Sequence, residues 1–386
     1  MQCLVEQFPY YTAGCFLNRA YIRNLIWISK YIPSLREQIM AVIVKNMVEM
    51  DGNVVENLKK KSQNDDTVSA MEVDSEKQDG VSETLDYCMV EMLEWLEDER
   101  DPVLRTMCNI FERMILPTHG IKSVQFLILY TISISQQCAD RVLNGLWMVA
   151  SGIHGLGPGA LATRRTAASH LAGLLARGVR VPNTRLVHYL RCMADWCHAY
   201  ITAAQESSAG DNTKVHGAFH AICHAIFYLI AFKHHHLFAS KENINFVESL
   251  NLPRLVTSAL NPLRSCPPQV QRTFAGVTRA HQLVYCQAII ERNARHTLQS
   301  DAEVKYDDWY PYDPYVLPVS GKTIWPLCID YKDWHQDGDD ETQYTSMKRK
   351  LEPEDDDYLM PPAQRFAHSL SNCISPGFKN SESLIV

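Results

Sequence analysis

The run His216–His236, HGAFHAICHAIFYLIAFKHHH, decides the fold of this 386-residue chain. Ala218, Phe219, Ile222, Ile226 and Phe227 recur at helical spacing and form the core face of one helix. The next segments, SLNLPRLVTSALNPLRSCPPQV (249–270) and HQLVYCQAIIERNAR (281–295), repeat the texture. Asn-Leu-Pro, Asn-Pro and Cys-Pro-Pro breaks separate them. Then the character changes to WYPYDPYVLP (309–318), rich in aromatics and prolines. Each proline forbids a continuing helix nearby, so residues 298–335 read as an extended strap whose aromatics dock on the last helices.

Upstream, Tyr21, Leu25, Ile28 and Ile32 share one helix face, Pro33-Ser34 breaks it, and Leu35, Ile39, Val42 and Ile43 resume the pattern. From residue 51 to 83 periodicity is lost in a polar, charged run that reads as a disordered acidic insertion. Helix returns at Leu85–Trp95 and Val103–Leu116, and Pro117 stops it. Further helices are predicted over Lys122–Ser135, Arg141–Ala150, Ala160–Leu175, Thr184–Ala204, Gly217–Phe238, Phe246–Ala259 and Val270–Asn293. Short segments with Gly, Pro or Asn join most of them, and no stretch alternates with period two long enough to require a sheet. The fold class is therefore all-α: a HEAT-like α-solenoid of paired antiparallel helices. Helical repeats occupy 1–50 and 84–297, and an acidic disordered tail covers 336–386.

The composition excludes more than it selects. No run approaches the ~18–20 apolar residues of a membrane span, so no membrane contact is expected. The twelve cysteines include no CxxC pair and read as reduced core residues. A net charge of −7 hides segregation. Between Asp140 and Asp195 there is no acid but seven arginines, while residues 51–101 carry 16 Asp/Glu against 5 Lys/Arg. Such fields govern encounter and partner choice more than fold.

His216, His220 and His224 stand at i, i+4, i+8, a spacing that could supply two zinc ligands. The surrounding apolar face makes satisfied or solvent-lining imidazoles the stronger reading. The run Gly152–Ala160 is glycine-rich but lacks the Lys-Ser/Thr of a phosphate loop, and reads as a joint. No nucleophile elbow, dinucleotide fingerprint or HExxH occurs, so the chain is not expected to be an enzyme or to hold a cofactor. The favoured site is basic: Arg164, Arg165, Arg177 and Arg180, on a predicted helix and its exit, suit carboxylates or phosphates. Ser375, followed by Pro376, and Ser69 and Ser75, in the acidic insertion, match phosphorylation patterns.

Several segments, in order, resemble the RNA polymerase I-specific transcription initiation factor (TIF-IA) family, central and C-terminal part. They are QFPYY (7–11), YIRNLIWISKYIPSLREQIM (21–40), MILPTH (114–119), VQFLILY (124–130), the helices above, YPYDPYVL (310–317) and IWPL (324–327). Leu175, Ala176 and Arg177 match a family segment whose continuation departs here at Gly178-Val179-Arg180. The resemblance implies a HEAT-repeat fold and a phospho-regulated, nuclear and nucleolar factor with cytoplasmic shuttling. It implies binding to RNA polymerase I subunits in the stalk region and bridging to the promoter-bound selectivity or core factor on ribosomal RNA genes. A weak DNA-backbone contact and homodimerisation are further expectations. Composition alone fits a helical-repeat adaptor in transport or assembly equally well.

Overall fold

The computed structural model describes residues 2–63, 72–99, 101–153, 160–206, 215–297, 311–312, 314–332 and 334. Among them every regular element is helical and the only β-type pairing is a single bridge, Gly178 to Cys328. After the short α1 (Gln2–Glu6), α2 (Cys15–Tyr31) packs on α3 (Arg36–Gln63) and α4 (Glu72–Glu99). α5 (Asp101–Ile110) runs into a π-helical turn, Phe111–Ile115, and packs on α3. Next come α6 (Phe126–Ile134), α7 (Gln136–Ser151), α8 (Ala160–Arg177), α9 (Asn183–Glu206) and α10 (Gly217–Phe232). α7 packs on α8, α8 on α10, and α10 on α9 and on α14 (Pro268–Ala280). Short helices α11 (His234–Leu237), α12 (Lys241–Ser249) and α13 (Leu252–Val256) fill the way to α14, and α15 (Gln287–Thr297) and α16 (Pro318–Ile324) follow it. Neighbour-on-neighbour packing of this kind is an all-α solenoid, with one continuous apolar core from Ile22 to Ile324.

Helix α10 explains why its sequence was decisive. Every residue from Gly217 to Phe232 except Ala221 is buried, so the helix is apolar all round and central rather than amphipathic. It packs on both α8 and α14, and Phe227 meets Phe274 of α14 with ring centroids 4.4 Å apart.

Several boundaries differ from those predicted. The segment expected to be irregular between 51 and 83 is helical at both ends, because α3 continues to Gln63 and α4 begins at Glu72. Lys, Glu and Gln are good helix formers, so a polar composition rules out burial rather than helix. Asp51 itself is buried: its carboxylate accepts the backbone N–H groups of Lys122, Ser123 and Val124 at 3.0, 2.7 and 2.9 Å. That contact fixes the turn before α6. Residues 64–71, and the tail from 335 to 386, lie outside the described residues.

Two predicted helices are each divided. Phe246–Ala259 breaks at Asn251, whose φ of 50° is left-handed, and Val270–Asn293 breaks at Gln282, with φ of 54°. Asparagine tolerates that region better than most residues, so Asn251 was a readable stop signal. Gln282 was not.

Candidate partner surface

The strap is not a simple extended segment on the last helices. Pro318 starts α16, where its missing N–H costs nothing, and Trp325–Leu327 adds a 3-10 turn. Asp86 of α4 accepts from the backbone N–H groups of Val319 (2.7 Å) and Ser320 (2.8 Å), and from the Ser320 hydroxyl. Tyr312 and Tyr315 meet Phe126 of α6 edge-on, at 5.4 and 4.6 Å. The Tyr312 hydroxyl reaches His170 Nδ1 of α8 at 3.0 Å. Gly173, one turn on, leaves room for this: a methyl group there would lie 2.7 Å from the Pro311 carbonyl oxygen and 2.8 Å from the Tyr312 ring. Farther along, Tyr331 packs on Phe232, and Trp334 on His234 and His281. The strap thus ties the middle helices α4, α6 and α8 to the later ones α10, α11 and α14.

The arginine block divides once its side chains are placed. Arg177 is 5% exposed. It donates to the Ile329 carbonyl at 3.1 Å and lies 4.9 Å over the Phe232 ring, while its own carbonyl accepts the Ile329 N–H at 2.7 Å. Arg164 donates to the Ala150 and Ser151 carbonyls, both at 3.0 Å, closing the C-terminus of α7 over left-handed Gly152. Burial pulls its guanidinium pKa down, and Trp196 stacks at 5.8 Å. Both guanidiniums are engaged within the fold, Arg177 almost wholly buried and Arg164 half-buried. Arg165 is half-buried, and Arg180 is exposed on the turn after α8. Elsewhere in the acid-free window, Arg141 meets Glu112 at 3.5 Å, Arg185 pairs with Asp140, and Arg191 donates to the Ser249 carbonyl at 3.0 Å.

Around Arg180 the strap supplies the rest of a surface. The Val179 N–H donates to the Leu327 carbonyl at 3.0 Å, which joins the turn bearing exposed Val179 and Arg180 to the strap segment bearing exposed Trp325 and Pro326. Trp325 is held from below, its Nε1 donating to the Tyr315 carbonyl at 3.1 Å and its ring lying against Gly321. Lys322, one turn earlier, is exposed too. Tryptophan and arginine are among the residue types that dominate protein contacts. Sequence reasoning missed Trp325 as a surface residue, because nothing local shows which ring of an aromatic strap faces out.

A second surface lies on α2. Phe16, Trp27 and Tyr31 of α2 are 85%, 64% and 86% exposed, opposite the buried Ile22, Leu25 and Ile26. Their i, i+11, i+15 spacing puts them on one side, whereas the face read from the sequence, Tyr21, Leu25, Ile28 and Ile32, shares only Leu25 with the buried set.

The histidine row serves the core. His220 Nε2 bonds the Leu260 carbonyl at 2.8 Å, His224 Nε2 the Pro262 carbonyl at 2.9 Å, and His216 Nδ1 the Tyr200 hydroxyl at 2.9 Å. Burial pushes His224 down to about 3, so it is neutral and pins the turn holding left-handed Asn261. Among the described residues no group of three His, Cys, Asp or Glu side chains could hold a metal ion. Ser69 and Ser375 lie outside the described residues, and Ser75 falls on the backbone of α4.

The comparisons agree with the resemblance read from the sequence. The family model for RNA polymerase I specific transcription initiation factor RRN3 matches residues 1–337. RNA polymerase I-specific transcription initiation factor RRN3 of Mus musculus is 28% identical over 409 residues, covering 93% of this chain and 62% of the relative. The Schizosaccharomyces pombe factor rrn3 is 24% identical over 397 residues, covering 89% and 65%. The chain therefore spans about three-fifths of the length of the curated relatives it matches. The crystal structure of RNA Polymerase I Transcription Initiation Factor Rrn3 shares the fold, with a TM-score of 0.72 at 19% identity over 85% of this chain and 68% of that one. With the match extending from before α2 to the end of the strap, this chain belongs to the RRN3 family of RNA polymerase I-specific transcription initiation factors.

Proposed function

We propose that this chain acts in the nucleus as an RNA polymerase I initiation factor, binding the polymerase and bridging it to the promoter-bound selectivity or core factor on ribosomal RNA genes. The family match across both solenoid and strap carries the reading. Bridging requires two separate faces, and the chain offers two of different chemistry. The aromatic side of α2 suits an apolar polymerase surface. The turn bearing Val179 and Arg180, with Trp325 of the strap, suits an acidic promoter factor. Phosphorylation at Ser69, Ser75 or Ser375 would add about −1.5 to −2 charges and compete for or create basic contacts. The work is recognition, with no chemistry assigned to any residue.

Capture from nuclear extract tests the basic face. Arg180→Glu should reduce recovery of the promoter factor at least several-fold while leaving the melting temperature unchanged. Arg177→Glu is the wrong probe, since it breaks the strap. Undiminished recovery with Arg180→Glu combined with Lys322→Glu would remove this face from the contact.

A further inference from the structure

Between Asn251 and Thr297 the chain carries six arginines and a single acid, Glu291. Two of those arginines, Arg272 and Arg279, are exposed on α14. This helix buries Val270, Phe274, Val277 and Thr278. Helical geometry then places Arg272, Gly276 and Arg279 on the other side, within about 60° of arc. Among the described residues neither guanidinium forms an ion pair, and Arg272 Nε donates to the Pro268 carbonyl at 3.4 Å. Other exposed arginines of this chain do find acids. Arg113 meets Glu37 at 2.7 Å, and Arg295 meets Glu291 at 3.6 Å.

Gly276 is where the strap comes to rest. A methyl group there would lie 3.3 Å from Trp334 Cδ1 and 3.4 Å from its Nε1, so the indole edge sits on α14 between the two arginines. His234 and His281 flank the same ring, at 5.3 and 6.0 Å. Asp337, Asp339, Asp340 and Glu341 follow three to seven residues later in the chain. A fully extended chain spans at most about 10 Å to Asp337 and about 25 Å to Glu341. Arg272 and Arg279 lie only about 6 and 4.5 Å from Gly276 along the helix axis. Reach is therefore ample, and the charges are complementary.

We propose that the acidic run Asp337–Glu341 docks on the Arg272 and Arg279 face of α14 as an electrostatic clasp. It holds Trp334 on Gly276 and covers this basic face against acidic segments of other proteins. Guanidinium suits the role because its planar fork binds carboxylates through paired N–H donors. Exposed ion pairs are individually weak, but the short tether gives the carboxylates a roughly millimolar or greater effective concentration. An acidic segment of another protein has to displace the run before it can use the face. The second acidic run, Glu352–Asp357, starts 18 residues beyond Trp334 and follows Lys348, Arg349 and Lys350, so it competes less well.

Phenylglyoxal modification of arginines in the purified 386-residue chain, mapped by mass spectrometry at low salt, tests this. The comparison is a variant carrying Asp337→Asn, Asp339→Asn, Asp340→Asn and Glu341→Gln. Arg272 and Arg279 should react about threefold or more slowly in the unaltered chain, while Arg180 reacts equally in both. In the unaltered chain alone, raising salt to about 1 M should abolish the protection, a readout that needs no variant. Equal rates at Arg272 and Arg279 in the two proteins would overturn the proposal and leave the face to an acidic segment of another protein. Protection at Arg180 instead would place the run elsewhere and overturn it too. Protection that grows with protein concentration would assign the run to a second copy, against the intramolecular clasp.

Discussion

The Asp86 carboxylate of α4 accepts the backbone N–H of Ser320 at 2.8 Å, joining positions 234 residues apart in one buried contact. Val319 and the Ser320 hydroxyl complete it, so a single carboxylate starts α16 and anchors the strap to the first half of the solenoid. A negative charge at a helix start is favourable, and three donors offset its burial.

Removing that acceptor leaves buried donors unsatisfied. Asp86→Ala should cost about 2–4 kcal/mol. It should also open the strap to limited proteolysis between Val316 and Trp325, while far-ultraviolet circular dichroism stays almost unchanged. Asp86→Asn keeps one acceptor and should fall between. A strap that stays protease-resistant in Asp86→Ala would show that the tyrosines alone hold it.

Gly173 tests the tyrosines. Because a methyl group would meet the Pro311 carbonyl and the Tyr312 ring at under 3 Å, Gly173→Ala should displace the strap and destabilise by about 1–3 kcal/mol. Alanine favours helix over glycine by about 1 kcal/mol, so an isolated α8 would gain from the change. A net gain in melting temperature would contradict the packing of Tyr312 on α8.

Buried neutral histidines give the fold an acid limit. Burial pushes both His170 and His224 down to about 3, below the ordinary histidine value near 6.5. The unfolded chain therefore binds these protons first as pH falls. Stability should be intact above about pH 6.5 and decline from there towards pH 3, by about 1.4 kcal/mol per pH unit for each histidine. Urea midpoints measured across this range should show the slope, and His224→Gln, which can still donate to the Pro262 carbonyl, should remove about half of it. A midpoint flat between pH 6.5 and 4 would mean the imidazoles are solvated.

The helical solenoid was legible because its signal is local: apolar spacing, proline breaks and the wholly apolar α10. What the sequence hid is long-range. Nothing near Asp51 or Asp86 shows that each carboxylate meets backbone N–H groups more than 70 residues away. The same limit split the arginine block. Arg164 and Arg180 look alike in sequence, yet one closes α7 and the other faces solvent, and only the positions of Gly152 and the strap decide which.

Sedimentation of the purified chain with purified RNA polymerase I, and in parallel with RNA polymerase II, addresses the proposed role most directly. Co-migration with polymerase I alone, weakened when Phe16, Trp27 and Tyr31 are changed together to Ser, is the expected result. Failure to co-migrate with polymerase I at physiological salt, or equal co-migration with both enzymes, would contradict it.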